Sequence, residues 1–382
     1  MELVGDRRTR DRGSTPGGTG AGAGQLLAAP DKFRGTVSAA EAAGAMARGA
    51  SSLGWSTRQI PLADGGEGLL EALGSVADER CEVEVEGPLG SPVTAAWLRI
   101  GTVAVVEMAQ ASGLLLAGGA EGNDPMRAST RGTGQLVLAA ARSLTDAHRS
   151  APASVGDELP GGAAVGTVVV GLGGSATTDG GWGALSAIEE AGGLGGVALV
   201  GACDVDVGFV EAAPRFGPQK GADDIQVGTL VERLDGLALA YRDGYGVDVG
   251  SVAGAGAAGG LGGAIVALGG RLQSGFEVVS ELLGFDEALR ASRVVVTGEG
   301  AFDETSLLGK VVGSVLRAAS SAGVPVVIIA GRTSDGAVAS ATGSGATVVS
   351  LTERFGRDRA LGDTAGCIEE ALVACLETGA FD

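Results

Sequence analysis

Three lysines stand among twenty-four arginines in this 382-residue sequence, and each lysine sits in a turn that also carries glycine. The turns are Asp31-Lys32-Phe33-Arg34-Gly35, Gly217-Pro218-Gln219-Lys220-Gly221 and Leu308-Gly309-Lys310. Where arginine serves almost everywhere else, a retained lysine marks a place that needs a compact, flexible ammonium instead of a planar fork. Carboxylates gather in turns of the same kind: Asp64, Glu67, Asp179, Asp204, Glu299 and Asp303. Cations beside acids in glycine turns suit phosphoryl transfer, which needs Mg2+ on a few hard oxygen ligands and a base for the acceptor hydroxyl. Glycine turns also offer unblocked N–H groups at helix starts, where anions are favoured. The candidates are Gly173-Gly174-Ser175-Ala176-Thr177, Gly132-Thr133-Gly134, and the run from Gly254 through Gly256, Gly259 and Gly260.

Other chemistries lack material. His148 is the only histidine, which leaves nothing for a Ser-His-Asp triad or a histidine zinc site. Cys81, Cys203, Cys367 and Cys375 are widely spaced with no Cys-x-x-Cys pair, so they read as reduced thiols. The P-loop pattern is absent, and so is the dinucleotide fingerprint at the first strand-turn. A net charge of −19 argues against a nucleic-acid partner. No apolar run approaches the roughly 20 residues that cross a bilayer, so no membrane partner is expected. Residues 1–22 are charged and then Gly/Thr-rich, with no apolar signal core; we read them as a disordered leader on a cytoplasmic protein.

To bring these turns together the chain must repeat one unit: a short apolar strand, a polar glycine turn, then a helix. Leu26–Ala29 precedes the Lys32 turn, and Ser38-Ala39-Ala40-Glu41 then forms a capping box opening an alanine-rich helix. Ile60–Ala63 leads into Asp64-Gly65-Gly66-Glu67-Gly68, Thr167–Gly171 into the 172–181 turn, and Val294–Thr297 into Gly298-Glu299-Gly300. Helices are expected from Gln135 to about Arg142, over Val311–Ala322 and near Cys367–Glu377, with a polar loop over 145–166. Such alternation predicts an α/β fold with mostly parallel sheets, and two α/β domains at this length. Ligands in such folds bind at the carboxyl ends of strands, where these turns lie.

At this point the sequence resembles the type I glycerate kinase family. The resemblance rests on ordered motifs from about residue 26 to 331. They include Ala29-Pro30-Asp31-Lys32-Phe33-Arg34-Gly35, Ala63-Asp64-Gly65-Gly66-Glu67-Gly68 and Glu86-Gly87-Pro88-Leu89-Gly90. Further on come Gly173-Gly174-Ser175-Ala176-Thr177, Ala202-Cys203-Asp204-Val205, Phe216-Gly217-Pro218-Gln219-Lys220 and Thr297-Gly298-Glu299-Gly300. Departures are a shortened 191–215 region, with Ala301, Thr178 and Arg131 where arginine, asparagine and tyrosine are frequent.

The resemblance implies ATP- and Mg2+-dependent phosphorylation of D-glycerate, usually at the 2-hydroxyl. It also implies one α/β domain (76–289) inserted in another, Rossmann- or flavodoxin-like (23–75 with 290–382), with the cleft between them. Within it, Asp179, Asp64, Lys220 and Lys310 would be catalytic, with Asp179 or Asp64 as the base. Lys32 and Arg34, with Ser175 and Thr177, would hold the substrate. Gly173, Gly174, Gly132, Thr133, Gly134, Gly256, Gly259 and Gly260 would cradle ATP, and Asp204, Glu299 and Asp303 would hold Mg2+. The protein would act as a monomer or homodimer. Two rival readings are another small-molecule phosphotransferase and a non-catalytic metabolite-binding relative.

Overall fold

Apolar runs at the expected places are strands, most of them parallel. The computed structural model describes residues 24–63, 65–66, 68–150, 164–378 and 381, so the leader at 1–22 and Asp64 lie outside the described residues. The strands are β1 (Gln25–Ala28), β2 (Ser56–Gln59), β3 (Glu79–Glu86), β4 (Pro92–Ile100), β5 (Val103–Glu107) and β6 (Thr167–Gly171). After them come β7 (Ala198–Ala202), β8 (Arg271–Gln273), β9 (Val294–Phe302), β10 (Val326–Thr333) and β11 (Thr347–Ser350). One sheet, in the order β11-β10-β9-β1-β2, is parallel throughout. The other runs β3-β4-β5-β6-β7-β8, parallel from β5 to β8, with β3 and β4 antiparallel at one side. The fold is therefore α/β with two mostly parallel sheets, as the repeated strand-turn-helix units predict.

Side-chain alternation along the strands decides how the layers stack, because successive residues face opposite sides of a sheet. In the first sheet Leu26, Val294, Val296, Val327 and Ile329 pack on one side with the helices Ala39–Ser52 and Thr364–Leu376. In the second, Ala104, Val106, Val168 and Val170 face the helices Arg131–Ser150 and Trp182–Glu190. The residues between them, Leu27, Val295 and Ile328 from one sheet and Val105, Val169 and Val200 from the other, belong to a single shared core. The helices Gly275–Leu283 and Val311–Ala322 fill that middle layer. Each fully buried aliphatic side chain there contributes about 1.5–3 kcal/mol, so the sheets are joined by a hydrophobic slab.

The first sheet has a switch point between β1 and β9. From β1 the chain moves to β2 on one side, and from β9 it moves to β10 and β11 on the other. Connections that diverge open a crevice at the carboxyl ends of these two strands. The Asp31 amide donates to the Gly298 carbonyl at 2.9 Å, and the Thr297 hydroxyl donates to the Ala29 carbonyl at 2.8 Å. Asp31 to Arg34 are thereby fixed beside Glu299 to Asp303.

Two local expectations are corrected. The helix expected to stop near Arg142 runs from Arg131 to Ser150, so its last turns occupy residues 145–150 of the anticipated 145–166 loop. His148 and Arg149 lie in its final turn, where the Arg149 cation meets the negative end of the helix dipole. Ile60–Ala63 is not a strand but the segment following β2, with Ile60 donating to the Ala28 carbonyl.

The helix Ala257–Ala267 opens on three left-handed residues: Ala258 (φ 53°), Gly259 (φ 69°) and Gly260 (φ 99°). A Cβ on Gly259 would lie 1.9 Å from the Thr177 carbonyl oxygen. Gly259→Ala therefore adds overpacking, a cost of about 1–3 kcal/mol, to left-handed strain. We expect its Tm, read by circular dichroism, to fall by several degrees; an unchanged Tm would contradict this packing.

Candidate active site

The carboxyl ends of both sheets face common space. One cavity, of about 720 Å³, is lined by Lys32 and Arg34 after β1, Gly173 and Gly174 after β6, Asp204 after β7, and Lys310. A second, of about 830 Å³, is lined by Asp31, Lys32, Arg34, Glu299, Asp303 and Lys310, with further residues from β10 and the C-terminal region. Lys32, Arg34 and Lys310 line both cavities and form the junction between them. The turn bearing Asp64 takes part through Gly65 and Gly66. Gly65 (φ 76°) lies so close to the end of β7 that its Cβ would come within 3.1 Å of the Ala202 carbonyl.

Lys220, Ser175 and Thr177 are brought together, but underneath the cavity wall. Lys220 is buried, and its ammonium donates to Ser175 Oγ at 2.8 Å and to the Thr177 carbonyl at 2.6 Å. Asn123 ties the same parts together, its amide donating to the Ala176 carbonyl at 3.0 Å and the Lys220 carbonyl at 2.9 Å. Burial pushes the Lys220 amine down to about 7 from its usual 10.5, with the Asp179 carboxylate acting weakly the other way. Lys220 thus braces the 173–177 turn from within and does not line either cavity. Thr177 is wholly buried, and its hydroxyl donates to the Ala258 carbonyl at 3.4 Å. Lys220, Ser175 and Thr177, expected at the reactants, line neither of these two cavities.

Asp179 is held by four hydrogen bonds. Its Oδ2 accepts from the Thr130 amide and hydroxyl, both at 2.8 Å, and from the Gly183 amide, while Oδ1 accepts from the Gly181 amide. The carboxylate anchors the starts of two helices and lines neither cavity. The expected cradle divides as well. Gly173 and Gly174 line the 720 Å³ cavity, and Gly174 is left-handed (φ 68°). Gly132, Thr133 and Gly134 are instead buried within a helix, where a Cβ on Gly132 would strike the Glu86 carbonyl oxygen at 1.7 Å. Gly256, Gly259 and Gly260 are buried against the backbone of residues 177, 178, 180 and 208. These six positions give close packing and no open amide cradle.

The acids expected at the metal separate into two groups. Asp204 Oδ1 accepts from Ser274 Oγ at 2.7 Å and from the Gly275 amide at 3.1 Å, on the side of the second sheet. Glu299 and Asp303 stand together in the 830 Å³ cavity. Asp303 caps the turn Glu304–Leu307, and its hydrogen bonds to Thr305 hold its carboxyl below the usual range. Glu299 is buried, and its Oε1 has no hydrogen-bond partner among the described residues. Burial, with Asp31 and Asp303 adding repulsion, raises its carboxyl to about 7. Among the described residues no three His, Cys, Asp or Glu side chains are grouped as a metal cage.

One residue escaped the sequence reasoning. Glu107, buried at the end of β5, accepts from the Gly68 and Leu70 amides, each at 3.0 Å. It caps the helix Leu69–Leu73 from the other sheet and so holds the Gly65-Gly66 turn over the cavity. No motif announced it; its only signal was an acid ending an apolar run.

The Lys220 site has a pH signature. With the folded pKa near 7 and the ordinary value at 10.5, the folded chain binds fewer protons than the unfolded chain between those limits. The penalty is complete below about pH 7 and fades as pH rises toward 10.5. The Tm of the native chain minus that of Lys220→Met should therefore grow between pH 7 and pH 10; parallel Tm curves would show that this amine is not desolvated.

A model of the glycerate kinase family matches residues 26–191 and 189–377. A protein of Mycobacterium bovis (strain ATCC BAA-935 / AF2122/97), described without an activity, is 41% identical over 325 residues, covering 81% of this chain and 79% of its own. The protein described as glycerate 2-kinase of Escherichia coli (strain K12) is 36% identical over 348 residues, covering 81% of this chain and 86% of its own. A crystal structure of a candidate glycerate kinase 2 from Salmonella typhimurium LT2 superposes with a TM-score of 0.74 at 30% identity, covering 94% of this chain and 99% of that one. Matched in sequence along both halves and in fold along most of its length, the chain is a kinase that belongs to the glycerate kinase family.

Proposed function

We propose that this kinase transfers the γ-phosphoryl group of ATP to the 2-hydroxyl of D-glycerate, giving 2-phosphoglycerate and ADP. The observation that carries the reading is the junction of Lys32, Arg34 and Lys310, where two cavities meet at the carboxyl ends of both sheets. Phosphoryl transfer requires two polar ligands to meet in line at a point of concentrated positive charge. The 2-position is supported by the Escherichia coli relative's description as a glycerate 2-kinase. In this reading the segments 23–75 and 290–382 form one domain and 76–289 the other, working in the cytoplasm.

The residues divide the work by chemistry. Lys32 and Arg34 grip the glycerate carboxylate, the guanidinium offering a two-pronged fork. Lys310, a flexible point charge whose ammonium rests 3.0 Å from Thr305 Oγ1, follows the charge that builds on the transferred group. Gly173 and Gly174 let backbone amides approach oxygen atoms that a Cβ would keep away. In this reading Asp64, which lies outside the described residues, takes the hydroxyl proton while the new O–P bond forms and the bond to the leaving ADP oxygen breaks. Lys220 and Asp179 hold the wall in shape.

Glu299 and Asp303 are the residues we assign to Mg2+. A buried carboxylate oxygen with no hydrogen-bond partner, beside two further acids, fits a divalent cation that would relieve its repulsion. Mg2+ commonly uses one or two carboxylates plus substrate phosphates, so no three-acid cage is required. When bound there it would neutralise charge on the donor's phosphate oxygens.

The test couples the purified chain to enolase, with Mg-ATP and D-glycerate and no phosphoglycerate mutase. Enolase signal without mutase is the expected result; signal only with mutase would move the acceptor to the 3-hydroxyl, and no ADP would favour a binding protein. Lys310→Ala should lower kcat about 10²–10³-fold with a nearly unchanged KM for glycerate, whereas Arg34→Ala should chiefly raise that KM.

A further inference from the structure

The two cavities differ in their walls. The 720 Å³ cavity is enclosed by the glycine turns Gly65-Gly66 and Gly173-Gly174, which suit close backbone contact with a small polar acid. The 830 Å³ cavity extends outward from the switch point to Gly331 and Arg332 at the end of β10, and to Arg357 and Leu361 on the short helix Arg357–Gly362. Arg332 and Arg357 are exposed and form no ion pair among the described residues, in a chain whose net charge is −19. Leu361 is 54% exposed where it lines this cavity, above the buried Ala360. A guanidinium plane and an aliphatic side chain at one mouth suit a flat aromatic ring, and a second guanidinium suits phosphate.

We infer that the outer cavity receives the nucleoside end of the phosphoryl donor between Arg357 and Leu361, with Arg332 leading its phosphates inward to Lys310 and glycerate held in the glycine-walled cavity. This assignment rests on the kinase reading above. It places donor and acceptor on opposite sides of the Lys32–Arg34–Lys310 junction, which is the arrangement an in-line transfer requires. It also agrees with the rule that ligands of open parallel sheets sit outside the strands that flank the switch point.

Two binding measurements on the full chain test it, with Tm and the KM for glycerate as controls. In a fluorescence titration with mant-ATP, the double variant Arg332→Ala/Arg357→Ala and the single variant Leu361→Ala should each raise Kd about tenfold or more. Their Tm should stay native, and their KM for glycerate should change less than about twofold. Irradiation with 8-azido-ATP should label the tryptic peptide that begins at Ala360. Unchanged Kd values, or label on the peptide containing Gly173 and Gly174, would overturn the assignment. The two readings fail separately. Glycerate phosphorylation with native mant-ATP affinity in the variants removes the subsite alone. Weakened mant-ATP binding without any glycerate phosphorylation in the native chain removes the function alone.

Discussion

The parallel pairing of β1 with β9 is the constraint on which the rest depends. Its side-chain clasp, Thr297 to the Ala29 carbonyl, joins residues 268 apart in sequence. Closing so long a segment costs conformational entropy, though the cost grows only slowly with length, as about (3/2)RT ln n. The pairing is worth that cost because β1 and β9 lie at the centre of a five-stranded sheet with both faces covered. Without it the Lys32 turn and the Glu299 turn would have no common register, and the crevice between them would not exist.

The second constraint is the layer between the sheets. Leu27, Val295 and Ile328 share one core with Val105, Val169 and Val200, so the two sheets do not meet through a polar hinge. Large hydrophobic interfaces resist the relative motion that domains otherwise show by default. The glycines at the rim follow from this closeness: at 65 and 171 the chains run so near each other that a side chain on either would meet backbone. Glu107 then joins the sheets by hydrogen bonds to Gly68 and Leu70 where packing alone would leave two helix-start amides unpaired.

The sequence made the repeating units legible because a parallel α/β fold writes each one as apolar run, glycine turn and helix. It also singled out Lys32, Arg34 and Lys310, which line both cavities. What it hid has physical causes. The hairpin of β3 and β4 escaped notice because one face of β3 is a row of glutamates open to water, so the strand carries only half the usual apolar signal. Glycine has two uses, an unblocked amide and an absent Cβ, and the letter does not tell them apart. Gly173 and Gly174 border open space, whereas Gly132, Gly256 and Gly259 border other backbones. Carboxylates are ambiguous in the same sense: the four hydrogen bonds that occupy Asp179 come from Thr130, Gly181 and Gly183, and only the folded chain brings Thr130 there.

Lys220 and Lys310 carry this ambiguity furthest. Both follow glycine-bearing turns, and both are lysines in a sequence that otherwise prefers arginine. Lys310 is partly exposed and lines two cavities. Lys220 is buried, and the same desolvation that would make a permanent charge costly lowers its pKa to about 7. A lysine can meet that cost by releasing its proton and still donating to Ser175 and the Thr177 carbonyl; an arginine in its place would keep its charge and have no such escape. The same residue type thus occupies two opposite environments, one open to the cavities and one in which burial pushes the amine down to about 7.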